Sequence, residues 1–516
     1  MANSADNQVS RYANSRLTRK DFGSDFVFGA ATSAYQVEGA YKQSGKAMSN
    51  WDVFSICQPG KIKDGSNGCV AIGQCHRYKD DVALMKKMGL DAYRFSISWA
   101  RILPGGRLSA GVNKDGVKYY SDLIDSLLLA GIEPYVTVFH FDVPNCLEEQ
   151  YGGFLSHRIV QDFGEFAEVC FFEFGDRVKH WITINEPWSF THNGYITGSF
   201  PPSHGSNTET RIVRHRVAHG VDRTILGGNP STEPYIVAHH LILAHAKAVD
   251  VYRKNYQGVQ GGKIGMTNMT TWFDPLYDTE EDIAAAERAV EFMWGWFVSP
   301  MVTGDYPAVM RERVGHRLPT FNAEETKLVK GSYDFIGMNY YTSNYAAYKA
   351  TPPGTRPTYY TDQEVDFFGG IYKLLKYTRD KDNNPLIYIT ENGADEKNDR
   401  SLAITDARVD KTRVKYHQDH LAFVKKAMDD KDGPVNVKAY FVWSMFDNYE
   451  WAEGYTVRFG LFLVDYVNEL GRYPKSSAIW YMNFLHNVLH PPAKRQVEEI
   501  EEDNNNSTTR KRIKQY

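Results

Sequence analysis

The sequence has no run of about 20 apolar residues, so nothing in it reads as a bilayer-spanning helix. Cysteine is scarce. Cys57, Cys69, Cys75, Cys146 and Cys170 make an odd number without CxxC spacing, which argues against a zinc site and a disulfide framework and suits a reducing compartment. Charge of neither sign is in surplus: 59 Lys and Arg face 63 Asp and Glu, a net of −4. That excludes a chain whose whole surface is a nucleic-acid or membrane footprint. The polar stretch Met1 to Lys20 lacks the apolar core of a secretory leader and reads as a flexible arm. Gly105-Gly106 and Gly227-Gly228 are not followed by Lys-Ser/Thr, so no phosphate loop is indicated. His239, His240 and His245 lack the glutamate of an HExxH pair and read as packing or surface histidines; no metal is expected. Asn268-Met269-Thr270 has the form of a sequon, but it falls in a strand-like run.

What is present is a long, even rhythm. From residue 21 to 490 there is no linker and no short repeat, so the stretch reads as one catalytic unit despite its length. Eight apolar, β-branched or aromatic runs recur: Phe26–Gln36, Ala92–Trp99, Glu133–His140, His180–Pro187, Lys263–Thr270, Asp334–Tyr341, Leu386–Gly393 and Val437–Asp447. Amphipathic stretches such as Tyr78–Lys87, Ser121–Ala130, Arg158–Phe174 and Lys411–Met428 separate them. Strands apolar on both faces, alternating with helices, predict a parallel sheet, and eight of them predict a (β/α)8 barrel with enlarged loops. A doubly wound sheet would want GxGxxG after its first strand; Gly29-Ala30-Ala31-Thr32-Ser33 is not that. Residues 491–516 differ in texture. An acidic run from Glu498 to Asp503 precedes Arg510-Lys511-Arg512, with too few apolar residues to offset ordering, and a disordered tail is predicted.

In such a barrel the reactive groups gather at the C-terminal ends of the strands. Those ends carry Gln36, Arg94, His140, Asn185 with Glu186, Asn339 with Tyr341, Glu391 and Trp443. Glu186 and Glu391 end two apolar strands, where an unpaired carboxylate would be costly. Two carboxyls at one rim suit glycoside hydrolysis: one protonates the departing oxygen while the other attacks or stabilises the anomeric carbon.

On these motifs the chain resembles the retaining β-glucosidases of glycoside hydrolase family 1. Phe26-Val-Phe-Gly-Ala-Ala-Thr-Ser-Ala-Tyr-Gln-Val-Glu38 is similar to that family's N-terminal signature, Thr183-Ile-Asn-Glu-Pro187 to its acid/base motif and Ile389-Thr-Glu-Asn-Gly393 to its nucleophile motif. Asn339-Tyr-Tyr-Thr342 and Trp443-Ser-Met-Phe-Asp-Asn-Tyr-Glu-Trp451 resemble its sugar-binding strands six and eight. The resemblance implies Glu391 as nucleophile and Glu186 as acid/base. It implies Gln36, His140, Asn185, Glu450 and Trp451 on the glucosyl hydroxyls, Trp443 as stacking floor with Phe459 closing it, and Arg94 and Tyr341 bracketing Glu391. It implies no cofactor. A small β-glucoside is the partner expected, with no nucleic acid or membrane, and self-association is allowed. Glu186 stands where plant thioglucosidases typically have Gln, so a myrosinase is not implied.

Three departures stand out: His140-Phe141-Asp142 where His-Trp-Asp is usual, Met48-Ser49-Asn50-Trp51-Asp52 where Pro-Ser-Ile-Trp-Asp is commoner, and a shortened segment between Tyr341 and Glu391. The last is expected to alter or open the leaving-group pocket without preventing folding. Within the family the chain resembles plant glucosidases of monoterpenoid alkaloid glucosides, of the raucaffricine, strictosidine and ipecac type. Leu103–Gly116, Tyr151–Ser156, Gly227–Pro234 and the acidic-then-basic tail carry that likeness. Lys494-Arg495 and Arg510-Lys511-Arg512 resemble a nuclear import signal, so nucleus or cytoplasm is the expected site. Two rivals stand beside this reading: a catalytically weak homologue that binds a sugar or a partner, and a general phenolic β-glucosidase. Transfer of glucose to an acceptor alcohol competes with hydrolysis at the same intermediate.

Overall fold

A computed structural model describes residues 17–205, 213–216, 222–225, 228–369 and 372–488. The tail predicted at 491–516, and residues 1–16 of the predicted arm, lie outside the described residues. The arm's end is anchored: Arg19 pairs with Asp91 at 2.7 Å, and the Lys20 N–H reaches Asn487 Oδ1 at 3.1 Å.

All eight predicted runs hold a strand. They are β1 (Val27–Ala31), β2 (Ala92–Ser96), β3 (Glu133–Phe139), β4 (His180–Asn185), β5 (Lys263–Pro275), β6 (Phe335–Tyr348), β7 (Ile387–Asn392) and β8 (Val437–Trp443). Each pairs in parallel with the next, and β8 pairs with β1 (Val27 opposite Ala439), which closes the barrel. A helix follows every strand: α1 (Gln74–Met88), α2 (Lys114–Leu129), α3 (Arg158–Phe174), α4 (Glu233–Asn255), α5 (Ala323–Val329), α6 (Tyr372–Lys381), α7 (Lys411–Met428) and α8 (Ser476–Leu485).

Local chemistry explains these elements. In α3, Ile159, Phe163, Phe166, Cys170, Phe171 and Phe174 recur at three- and four-residue spacing and are all buried. Each such ring or branched chain contributes about 1.5–3 kcal/mol on burial. Asn113 caps α2 by accepting from the Asp115 N–H, and α1 stops at Gly89 in the left-handed conformation. Inside the barrel, Ala31, Ala92, Tyr135, Ile182, Phe335, Tyr388, Ala439 and Phe441 fill the lumen, leaving a packed plug rather than a pore. Gly29 lies inside β1 and not in a turn, and it is needed there: a Cβ on it would lie 2.4 Å from the Phe441 ring.

Two features depart from the expected outline. Gln36 does not extend β1 but lies in a short helix, Ala34–Val37, after it. Strands β5 and β6 run past the barrel rim, beyond the predicted ends at Thr270 and Tyr341. There β6 pairs antiparallel with a short strand, Val365–Gly369, Asn344 lying opposite Gly369. The segment after Tyr341 expected to be shortened thus adds a strand and a short helix beside the barrel sheet. Its helix, Tyr359–Gln363, docks on the turn after β4: Trp188 Nε1 donates to Tyr359 Oη at 3.0 Å, and His192 Nε2 lies 2.7 Å from Tyr360 Oη. Asn268, the sequon residue, is buried within β5.

Candidate active site

The strand ends meet at one cavity of about 240 Å³, lined by His140, Phe141, Asn185, Glu186, Ser189, Asn193, Phe200, Met269, Tyr341, Glu391, Trp443, Glu450, Trp451 and Phe459. Nine of the predicted site residues are on that wall. Arg94, Asn339 and Gln36 are the exceptions, standing behind it with no exposed surface.

Arg94, midway along β2, is the hub. Its Nη1 donates to Glu391 Oε1 and, at 3.2 Å, to the Thr390 carbonyl. Its Nη2 donates to Asn185 Oδ1 at 2.6 Å and its Nε to Thr137 Oγ1 at 3.2 Å. One guanidinium therefore ties β2, β3, β4 and β7 across the barrel mouth. Tyr341 donates to the other carboxylate oxygen, Oε2. Burial, then the charges of Glu391 and Glu186, hold its phenol well above the usual tyrosine range, so it keeps the proton it donates. The glycine after Asn392 is dictated by packing, since a Cβ on Gly393 would fall 1.9 Å from the Trp443 carbonyl oxygen.

Glu186 sits in the left-handed region (φ 42°, ψ 64°), the turn between β4 and the short helix Pro187–His192. A non-glycine residue there carries strain that the surroundings must fix. The fixing contacts include the Glu186 N–H to the Thr267 carbonyl, 2.8 Å. Its Oε1 accepts from Asn339 Nδ2 at 2.7 Å and its Oε2 from Ser189 Oγ at 2.6 Å. Asn339 Nδ2 also donates to Asn185 Oδ1, 3.1 Å away. The two carboxyls are thus joined by a relay, Glu391–Arg94–Asn185–Asn339–Glu186. Burial, then the charge of Glu391, pushes Glu186 up to about 7, against the pull of Ser189, Asn339 and Arg94.

The remaining residues form a polar corner and aromatic walls. His140 stacks between Trp443 and Trp451, at 6.0 and 5.8 Å, and its Nε2 lies 3.1 Å from Asn185 Nδ2. Burial, then the Arg94 charge, keeps the imidazole neutral, well below the usual histidine range. Glu450 is pushed up to about 8 by burial and by Glu391, Asp395 and Glu186. Gln36 turns its amide nitrogen to the Tyr449 carbonyl (2.8 Å), Asn448 Oδ1 (3.0 Å) and Glu450 Oε2 (3.5 Å), so it stands behind Glu450. The loop carrying Phe459 is pinned by buried Asp447, which accepts from Lys475 Nζ at 2.7 Å, Arg458 Nη1 at 2.5 Å and the Gly460 N–H at 2.9 Å. Phe459 meets Tyr341 edge to face at 6.0 Å.

Sequence reasoning missed Ser189, Asn193, Phe200 and Met269, and noted Phe141 only as a departure. Phe141 lies at positive φ (73°) and packs 5.1 Å from Trp451. Two of the three histidines are in the core: His245 Nδ1 is 2.6 Å from Thr183 Oγ1, and His239 Nδ1 is 2.9 Å from Tyr306 Oη. His240 is only partly buried, its Nδ1 2.8 Å from the Phe154 carbonyl oxygen. Among the described residues no group of His, Cys, Asp and Glu could hold a metal ion.

A closed eight-stranded α/β barrel with two carboxyls facing one cavity defines a glycoside hydrolase architecture. The glycosyl hydrolase family 1 profile matches residues 18–488; the chain belongs to that family and is a retaining β-glucosidase. It is 53% identical to oleuropein β-glucosidase of Olea europaea, over 97% of this chain and 95% of that protein. It is 48% identical to raucaffricine-O-β-D-glucosidase of Rauvolfia serpentina, over 95% and 96%. Among solved structures, the rice Os3BGlu6 β-glucosidase superposes with a TM-score of 0.84 at 44% identity, covering 91% of this chain and 99% of that one.

Proposed function

We propose that this chain cleaves the β-D-glucosidic bond of a plant secondary metabolite, a monoterpenoid indole alkaloid glucoside above others, with Glu391 as nucleophile and Glu186 as acid and then base. One observation carries the catalytic reading: two carboxyls share a cavity in opposite environments. Glu391 lies between a cationic and a phenolic donor, the setting of a carboxylate that attacks, and Glu186 is buried against that negative neighbour, the setting of an acid. Glu391 attacks the anomeric carbon while Glu186 gives its proton to the departing oxygen. The glucosyl ester has no charge on Glu391, so the repulsion on Glu186 falls and it takes a proton from the attacking water. His140, Asn185, Glu450 and Trp451 hold the sugar hydroxyls over Trp443, and Gln36 orients Glu450.

The sign of the pH dependence follows. Cleavage needs Glu186 protonated, so kcat/KM on p-nitrophenyl β-D-glucoside is full below pH 7 and falls as pH rises through about 7, by about tenfold per unit beyond it. A flat profile from pH 5 to 9 would remove Glu186 from the acid role.

Phe141, Phe200, Met269 and Phe459 give the cavity apolar surface beside the carboxyls, which suits a bulky, partly apolar aglycone. Similarity to the raucaffricine enzyme supports an alkaloid aglycone, whereas similarity to the oleuropein enzyme favours a second, non-alkaloid reading. Turnover of p-nitrophenyl β-D-glucoside, raucaffricine, strictosidine and oleuropein decides between them. The alkaloid reading expects kcat/KM on raucaffricine or strictosidine about tenfold or more above the aryl glucoside, a difference of about 1.4 kcal/mol in transition-state binding. Oleuropein preferred over both alkaloids overturns it. Folded protein silent on all four would favour a binding homologue.

A further inference from the structure

Arg94 dictates the direction of every hydrogen bond in the relay, and with it the position of the proton on Glu186. A guanidinium only donates, so the Asn185 atom 2.6 Å from Arg94 Nη2 is its carbonyl oxygen. Asn339 lies 3.1 Å from that same oxygen and must present its amide nitrogen there. The second hydrogen of that nitrogen points to Glu186 Oε1, at 2.7 Å. Thr390 Oγ1, 2.9 Å from Asn339 Oδ1, holds the far end of the amide. Oε1 is therefore an acceptor in either ionisation state, and the proton of neutral Glu186 rides on Oε2. The partner of Oε2 is Ser189 Oγ, at 2.6 Å. Ser189 is three residues on from Glu186 in the turn-and-helix after β4, largely buried, and on the cavity wall. A hydroxyl can both accept and donate, which neither Asn339 Nδ2 nor Arg94 can do.

We propose that Ser189 is a positioning residue for the proton of glycoside cleavage: its hydroxyl accepts from Oε2–H in the resting enzyme and turns to donate to Oε2 once Glu186 is ionised. During cleavage the proton leaves Oε2 for the glycosidic oxygen as the anomeric C–O bond breaks and the Glu391 ester forms. The Ser189 hydroxyl then rotates, keeping its own proton, and steadies the carboxylate. When water attacks, its proton returns to Oε2 and the hydroxyl reverts. This rests on the reading of Glu186 as acid/base and adds to it a reason for a small hydroxyl residue at position 189.

The test compares Ser189→Ala, Ser189→Cys and Ser189→Thr with the parent in the pH profile of kcat/KM for p-nitrophenyl β-D-glucoside and in kcat for 2,4-dinitrophenyl β-D-glucoside. Ser189→Ala loses a donor to the ionised form, so the alkaline limb is expected to move up by about half to one pH unit. Turnover of the dinitrophenyl substrate below that limb, where Glu186 must act as base, is expected to fall by about three- to tenfold. Ser189→Cys, which keeps the volume with a weaker hydrogen bond, should follow Ala. Ser189→Thr, which keeps the hydroxyl, should restore the parent profile. A merely structural role would lower rates without moving the limb. An unmoved limb in both Ala and Cys variants, or an equal shift in the Thr variant, overturns the proposal. Glu186→Ala is run beside them: if its rates do not depend on the leaving group, it is the underlying assignment that has failed, not the role of Ser189.

Discussion

Glu391→Ala is expected to lower kcat/KM on p-nitrophenyl β-D-glucoside by on the order of 10⁴-fold or more. The nucleophile is lost outright, and water alone does not replace a carboxylate held between Arg94 and Tyr341. The truncation also opens space beside a guanidinium that keeps its charge. Azide or formate fits that description, a small anion drawn to Arg94 on the face from which Glu391 would have attacked. Added azide should restore part of the rate on a 2,4-dinitrophenyl glucoside and yield the α-glucosyl azide, because a single displacement inverts the centre. The product anomer is read by NMR. A variant retaining near-parental activity, or a rescued product of β configuration, would remove Glu391 from the nucleophile's place. Loss of Glu391 also leaves a buried cation unpaired, which is strongly destabilising, so the variant's folding must be checked by circular dichroism before its rates are compared.

Glu186→Ala should act differently. Departure of 2,4-dinitrophenolate needs no proton, so formation of the glucosyl ester stays close to the parental rate. Departure of an alkaloid-type aliphatic alkoxide does need one, and should slow by about 10²–10⁴-fold. On the dinitrophenyl substrate the ester then accumulates, since the base for water is gone as well, and a burst of about one equivalent of phenolate should precede a slow steady state. Azide relieves that steady state with retention, as a second displacement on the ester. Opposite stereochemistry from two single-carboxyl variants separates the two roles more sharply than either rate does. Equal slowing on good and poor leaving groups would sink the acid assignment.

The barrel was legible because its strands are buried on both faces: Ala92–Ser96 and Ile387–Asn392 are buried throughout, and no other common strand environment leaves such unbroken apolar runs. The carboxyls were legible for the same reason, as charges at the ends of those runs. The extensions of β5 and β6 were not. Past Tyr341 only Ser343 and Ala346 are buried, every third residue instead of every second, so the period of a half-buried strand is missing until a partner strand, Val365–Gly369, is known to lie beside it. Gln36 was assigned to the end of β1 because apolar Val27–Ala31 and Ala34–Val37 read as one run, whereas the Ser33 to Ala34 step turns into a helix. Phe141 and Phe200 carry no local signal of a wall role, since that is set by where two separate loops come to rest, and apolar Met269 within β5 reads as ordinary strand packing. The direction of the Asn185 and Asn339 amides is equally invisible in sequence, being set by a guanidinium from another strand.

That guanidinium also governs when the molecule can be finished. Arg94 and Glu391 are 297 residues apart in the chain. A nascent chain that has made β1 to β4 holds Arg94, Thr137 and Asn185, yet lacks Glu391, the carboxylate with which that guanidinium forms its ion pair. Sealing a cation in such a half-barrel is unfavourable, so the mouth stays hydrated until β7 arrives and supplies the carboxylate. The nucleophile on β7 then arrives one strand before β8 closes the ring against β1. A truncated or half-folded chain is held back from compaction at the place where it would otherwise bury an incomplete site.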